Sequence, residues 1–200
     1  MDEQDLMNPA YWDYRYAHNQ TGWDVGYATP PISEYVRQLK NKDKAVLIPG
    51  CGNGYEAGFM LQQGFTHIHL LDFSSEAVKH LQSRFEKFKP QIKIIQADFF
   101  NYQGQYDLVL EQTFITTVSP ERRKAFAQKI ADLVKPGGTY AGVFFNLHFD
   151  VNPPYGGSAD EYIALFSEHF IIKSIEPCYN SIIPRKGEEL FFIFTRKALH

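Results

Sequence analysis

Only two cysteines, Cys51 and Cys178, occur in the 200-residue chain. They form no framework spacing, which excludes a disulfide-stapled secreted scaffold and predicts a reducing compartment. Positive charge is not in excess either: Lys+Arg 20 against Asp+Glu 23 gives a net charge of −3. The chain therefore lacks the basic face that a nucleic-acid partner requires. The opening Met1-Asp2-Glu3-Gln4-Asp5 is acidic and has no apolar h-region, so it predicts neither a signal peptide nor a transmembrane span. No internal repeat, linker or low-complexity segment interrupts the chain. These absences predict a cytoplasmic protein with neither membrane nor nucleic acid among its partners, and a monomer by default.

What is present is the composition of a soluble globular protein, 44% hydrophobic and 22% charged. This length predicts a single domain over residues 1–200, able to bury roughly 70% of its unfolded surface. Aromatics make up 16% and crowd the first 28 residues. Tyr11-Trp12-Asp13-Tyr14-Arg15-Tyr16 precedes Thr21-Gly22-Trp23-Asp24. A short helix over 9–18 would put Trp12 and Tyr16 on one face, as a packing staple or as a lid over a ligand.

The rest alternates strand and helix. Thr29-Pro30-Pro31 starts a helix, with Thr29 as N-cap and Pro30 at its first position. Strands are predicted at 44–48, 66–72, 91–96, 106–110 and 139–145. Helices are predicted from Tyr55 to near Gly64, after the cap Ser74, and from Ser119-Pro120 to Lys135-Pro136-Gly137-Gly138. Such alternation means an α/β fold with a mostly parallel sheet and helices on both faces. The tail differs: a Pro/Gly-rich loop over 146–157, a capping box at Ser158-Ala159-Asp160-Glu161, then two strands at 171–176 and 190–195 joined without a helix, hence antiparallel. That makes seven strands.

The first strand runs into Pro49-Gly50-Cys51-Gly52-Asn53-Gly54. Glycines at this spacing serve a left-handed turn or the close approach of a ligand to the backbone. The spacing is G-x-G-x-G, not the G-x-G-x-x-G of a dinucleotide turn. Ligands in open α/β sheets bind beyond the carboxyl ends of the strands. Those ends carry Asp72 and Phe73 after the second strand, Asp98 and Phe99 after the third, and Glu111, Gln112, Thr113 and Phe114 after the fourth. Asp72 suits a ribose diol, because a carboxylate accepts hydrogen bonds from both hydroxyls. Asp98 can accept from an adenine amino group, with Phe99 beside the base. Together they describe an adenosine carrying something other than a pyrophosphate.

On these residues, the Leu133–Gly138 turn and the final antiparallel strand, the chain resembles a Rossmann-like class I S-adenosylmethionine-dependent methyltransferase. A narrower resemblance spans nearly the whole chain. Trp12, Thr21-Gly22-Trp23-Asp24-Val25-Gly26, Ala28-Thr29-Pro30, Pro49-Gly50-Cys51-Gly52, Glu111-Gln112-Thr113-Phe114, Pro120-Glu121-Arg122-Arg123, Pro153-Pro154-Tyr155 and Ile183-Pro184-Arg185-Lys186-Gly187 are similar to the thiopurine methyltransferase family. The thiol/halide branch is the nearest. The resemblance implies cofactor contacts at Trp12, Trp23, Gly50, Cys51, Gly52, Asp72, Phe73, Asp98, Phe99 and Gln112, with residues 1–28 as an aromatic lid. This chain has Tyr16 where that branch has a second lid tryptophan, and Gln112 where it has a tyrosine.

The implied reaction moves a methyl from S-adenosylmethionine to a small soft nucleophile, a thiol first, leaving S-adenosylhomocysteine. Tyr155 and Arg185 are the candidates for orienting or attracting the acceptor. Selenium or tellurium oxyanions and small oxygen or nitrogen acceptors are alternatives. So, further off, are a nicotinamide-dependent oxidoreductase and a non-catalytic cofactor-binding module. No metal is predicted: His67 and His69 alternate along one strand but lack a third ligand at recognisable spacing. Cys51 reads as a small packing residue beneath the cofactor, His148 as a loop residue, and Phe100 and the Phe191-Phe192 pair as core.

Overall fold

The computed structural model describes residues 8–198. The acidic Met1–Asp5 start, read above for the absence of a leader, lies outside the described residues. Seven strands form one sheet in the order β3-β2-β1-β4-β5-β7-β6, with helices around it. The chain divides into two compact units, 1–102 and 103–200.

In the first unit, β1 (Val46–Pro49), β2 (Ile68–Asp72) and β3 (Ile92–Gln96) run parallel, with Val46 opposite Ile68 and Ile68 opposite Ile92. β1 is buried throughout, as a strand covered on both faces must be. Around these strands lie α1 (Pro9–Ala17), α2 (Pro30–Gln38), α3 (Tyr55–Gln62) and α4 (Ser75–Arg84). Thr29 holds the N-cap position of α2, with proline at its first position. Ser74 caps α4 by accepting the Ala77 N–H at 3.2 Å. Gly64, two residues past α3, has φ 87°, the left-handed stop read from the sequence.

In the second unit, β4 (Tyr106–Gln112) pairs parallel with β5 (Val134–Phe145), β5 antiparallel with β7 (Glu189–Arg196), and β7 antiparallel with β6 (Phe170–Pro177). α5 (Arg123–Leu133) and α6 (Ala159–Phe166) complete it. The capping box at Ser158 and Glu161 forms as read. Tyr140, Phe144, Phe166, Phe170, Phe192 and Phe194 fill the core, with Phe144 stacked on Phe192 at 3.9 Å between ring centroids. Stacked pairs of this kind contribute about 0.5–1.5 kcal/mol beyond the area they bury.

Most strand ends differ from the sequence reading by one or two residues, and the start of β5 differs by more. β5 begins at Val134, not Thr139, because Val134 already pairs with Tyr106. Lys135 to Gly138 then bulge out of the ladder before Leu108 meets Thr139, and Lys135 Nζ ties the bulge to Asp107 at 2.8 Å. β4 continues through Glu111 and Gln112, so these two belong to the strand rather than to the loop after it. Among the described residues no helix is long and apolar enough to cross a membrane.

Candidate cofactor site

The turn after β1 is built on three left-handed glycines, Gly50, Gly52 and Gly54, with φ 57°, 51° and 66°. A side chain would be strained at each. At two of them a Cβ would also force a neighbouring side chain to shift. A Cβ on Gly54 would lie 2.7 Å from Leu81 of α4, and one on Gly52 would lie 2.8 Å from the Tyr16 hydroxyl oxygen. Gly54 thus lets α3 start against α4, and Gly52 admits the Tyr16 hydroxyl to the backbone.

Asp72 closes β2 and is buried. Its Oδ2 accepts the Gly52 N–H at 3.0 Å and its Oδ1 accepts the Ser74 N–H at 3.0 Å. One carboxylate therefore joins the glycine turn to the start of α4. Each oxygen keeps a further lone pair, an arrangement that suits two neighbouring hydroxyls. Burial raises the Asp72 carboxyl above its ordinary value, against the pull of the backbone N–H groups. Cys51 beside it is buried, and burial with Asp72 and Glu56 pushes its thiol well up. That is the state of an inert packing residue, not of a nucleophile.

The aromatic segment folds over this turn. Trp12 meets Trp23 edge to face at 5.4 Å, and Tyr16 meets Trp23 at 6.0 Å. The Arg15 guanidinium lies 5.3 Å from the Trp23 ring centre and donates to the Gln20 carbonyl at 2.7 Å. Trp23 stays 36% exposed. Two aspartates fasten the segment, and neither was legible as a site residue in the sequence. Asp13 accepts from Ser74 Oγ at 2.7 Å, Ser75 Oγ at 3.1 Å and the Glu76 N–H at 3.2 Å, at the N-terminus of α4. Partial burial pushes its carboxyl up, but these bonds outweigh burial and hold it below its ordinary value. An anion there also meets the positive end of the helix. Asp24 accepts from Asn53 Nδ2, from the Tyr55 hydroxyl at 3.2 Å and from the Gly26 N–H at 2.7 Å.

Glu56, in the first turn of α3, is another residue the sequence did not flag. It is 8% exposed, and burial pushes its carboxyl up to about 7. Its own N–H and Arg84 pull the other way, and Asp24 adds to the rise. The folded chain therefore holds a proton that the unfolded chain has released, from the ordinary 4.5 to about 7. Stability must fall as pH rises through that window, and the penalty is complete above it. Glu56→Gln should raise the melting temperature at about pH 8 and leave it nearly unchanged near pH 4. Melts that shift equally at both pH values would contradict this. Glu111, also pushed up to about 7 by burial, has the same sign, so the variant keeps part of the slope.

Asp98 caps its own turn. Its Oδ1 accepts the Phe100 N–H at 2.9 Å and its Oδ2 accepts Asn101 Nδ2 at 2.7 Å. Phe99 is buried and Phe100 half-buried, edge to face at 5.2 Å. This corrects the sequence reading, which placed Phe100 in the core and Phe99 outside it. Phe191 is likewise half-buried, whereas Phe192 is core. Phe73 is half-buried beside Asp72, His67 is exposed and His69 half-buried. His148 is an exposed loop residue, 3.4 Å from Glu161.

In the second unit, Gln112 ends β4 half-buried, and Thr113 follows with φ 57°. A left-handed threonine is strained and persists only where its surroundings enforce it. Here its N–H donates to Val143 O at 3.0 Å. Glu111 is fully buried, accepting from the Tyr140 hydroxyl and, at 2.6 Å, from the Ile115 N–H. It is a core anchor, not the loop residue the sequence predicted. Arg185 lies 3.4 Å from the buried Glu189 and over the Phe145 ring at 5.5 Å. Tyr155 is half-buried, with its N–H on Thr116 O at 2.8 Å.

The family model described as thiopurine S-methyltransferase matches residues 7–191. The chain belongs to the thiopurine S-methyltransferase family. It is thus an S-adenosylmethionine-dependent methyltransferase. It is 31% identical over 185 residues to a probable thiol methyltransferase 2 of Arabidopsis thaliana, covering 89% of this chain and 81% of that one. It is 24% identical over 193 residues to a thiopurine S-methyltransferase of Pseudomonas fluorescens (strain SBW25), covering 85% and 87%. Among solved structures it is similar to Burkholderia thailandensis 1,6-didemethyltoxoflavin-N1-methyltransferase, crystallised with 1,6-didemethyltoxoflavin and S-adenosylhomocysteine. The TM-score is 0.78 at 15% identity, covering 96% of this chain and 88% of that one, a likeness of fold. Of the family-type residues in the first unit, the fold joins Gly52 to Asp72 directly and Trp12 to Trp23. Asp98 and Phe99 stand on the neighbouring strand end. Gly50 contributes its left-handed backbone to the turn.

Proposed function

We propose that this family member methylates a small soft nucleophile, a thiol first, with S-adenosylmethionine held in the glycine-turn cradle. The observation that carries the cofactor assignment is the Gly52–Asp72 hydrogen bond of 3.0 Å, which fixes a buried carboxylate at the end of β2. Bound S-adenosylmethionine would supply a methyl group on a sulfonium, so that in-line displacement by the acceptor needs neither metal nor covalent intermediate and leaves S-adenosylhomocysteine. Asp72 takes the ribose hydroxyls, Asp98 and Phe99 the adenine, and Trp12, Tyr16 and Trp23 cover the sulfonium. Gln112 joins this set on the family resemblance. The protein's main work is holding reactants in near-attack geometry and excluding water. A thiol of pKa about 8.5 is partly ionised near neutrality, so a dedicated general base is not required. Tyr155 orients the acceptor. Arg185, already facing Glu189, contributes little net positive charge.

Thermal shift with S-adenosylhomocysteine tests the cofactor half, and absence of stabilisation would sink it. Labelled methyl transfer to hydrosulfide, thiophenol, a thiopurine, iodide and selenite tests the acceptor half. Turnover of selenite alone would replace the thiol by an oxyanion. The lid has its own test. Aromatic faces stabilise a nearby cation by about 0.5–2 kcal/mol, so Trp23→Ala should weaken S-adenosylmethionine by about 2- to 30-fold. The neutral S-adenosylhomocysteine should lose less. Equal losses in calorimetry would remove the cation-binding role.

A further inference from the structure

Arg123, the first residue of α5, is 9% exposed, and neither the fold nor the cofactor cradle explains where its donors go. Its Nη2 donates to the Tyr155 carbonyl at 3.1 Å and to the Gly156 carbonyl at 2.8 Å. The Tyr155 N–H donates in turn to Thr116 O at 2.8 Å. Both backbone groups of Tyr155 are therefore tied down, one by the turn after β4 and one by the start of α5. The next residues leave no slack. A Cβ on Gly156 would lie 1.7 Å from Leu147 O, and the Gly157 N–H donates to that same oxygen at 2.8 Å. Arg123 also works against the burial that raises the carboxyl of the buried Glu111.

A buried guanidinium is costly unless its donors are used. Bonds spent on the carbonyls of a loop fix the loop. We propose that Arg123 is a positioning residue that holds Tyr155, and with it the 146–157 loop, in place for the methyl acceptor. This rests on the reading of Tyr155 as an acceptor-side residue. Arg123 then governs acceptor use and leaves cofactor affinity alone, because its bonds fall on the Tyr155 and Gly156 carbonyls and on none of the residues assigned to the cofactor.

The test is Arg123→Lys, which keeps the charge but is too short to carry a nitrogen to the position of Nη2, the atom that makes both bonds. Acceptor kcat/KM should fall about tenfold or more, since small misplacements of reacting groups are costly. S-adenosylhomocysteine affinity should stay within about twofold of the parent. In a Tyr155→Ala background the lysine substitution should add nothing, because two residues acting through one contact are not additive. Independently of turnover, limited chymotrypsin digestion read by mass spectrometry should cut faster after Phe149 and Tyr155. Arg123→Gln, which keeps one amide donor and drops the charge, is the second variant. Unchanged loop cleavage, additive double mutants, or cofactor affinity falling in step with kcat/KM would each overturn the proposal. So would failure of both variants to melt cooperatively, which would make Arg123 a core residue only. If the parent turns over no acceptor, the functional reading fails, and the cleavage rates still decide the role of Arg123.

Discussion

Replacing Asp72 by asparagine should cost the protein its cofactor while leaving the fold nearly intact. The carboxylate accepts two backbone N–H groups, from Gly52 and Ser74, one on each oxygen. Asparagine offers one carbonyl oxygen and one NH2 group, so one of the two N–H groups must face another donor. The glycine turn or the start of α4 then shifts, and one of the acceptors proposed for the ribose diol is lost. A buried hydrogen bond to a charged group is worth about 1.5–3 kcal/mol, which converts to an affinity loss of about 10- to 150-fold. The stability change should be smaller, because the ionised Asp72 is itself disfavoured by burial and by Asp13, and asparagine removes both penalties. Calorimetry with S-adenosylhomocysteine and a thermal melt separate the two effects. An unchanged affinity in a folded variant would remove Asp72 from the site.

Gly142→Ala should strongly destabilise the β4–β5 ladder of the second unit. Gly142 in β5 pairs with Glu111 in β4. A Cβ there would lie 2.0 Å from the Glu111 carbonyl oxygen and 2.8 Å from its carbonyl carbon. These are backbone atoms within a ladder, so no rotamer can relieve the overlap and the strands must part. Overpacking a core costs about 1–3 kcal/mol where side chains can yield. Here the loss should reach about 3 kcal/mol or more, at the upper end of that range, read from the urea midpoint. Separation at Glu111 would also disturb the anchor for Ile115 and Tyr140, so acceptor use should fall in whatever fraction folds. Gly22→Ala is the control, since a methyl group there would meet nothing within 4 Å, and it should stay within about 1 kcal/mol of the parent. Similar midpoints for both variants would refute the close-approach argument.

Much of this architecture was legible in the chain because it is written in local patterns. The parallel strands show as short apolar runs. Ser74, the Ser158 capping box and Gly64 mark helix ends by their own chemistry. The G-x-G-x-G turn declares its left-handed backbone. Asp72 stands out as a candidate because it ends a strand, and strand ends are where ligands bind in such sheets. The bulge at Lys135 to Gly138 was misplaced for a related reason. A Pro-Gly-Gly run looks like the end of an element, and only the pairing of Val134 with Tyr106 shows that the strand had already begun.

The sequence by itself determined the fold class, the order of the elements and the family, because periodicity, capping and motif order survive without coordinates. What it could not determine was which polar residues meet across long stretches of chain. Asp13 reaches Ser74 across 61 positions, and Asp24 reaches Asn53 across 29. Arg123 finds Tyr155 32 positions away, and Glu111 became a core anchor only when Tyr140 closed over it. A carboxylate or a guanidinium looks alike in sequence whether it faces water or a buried partner. Only tertiary packing removes the water, and that removal turns an ordinary charge into a clasp, a loop anchor or a raised pKa.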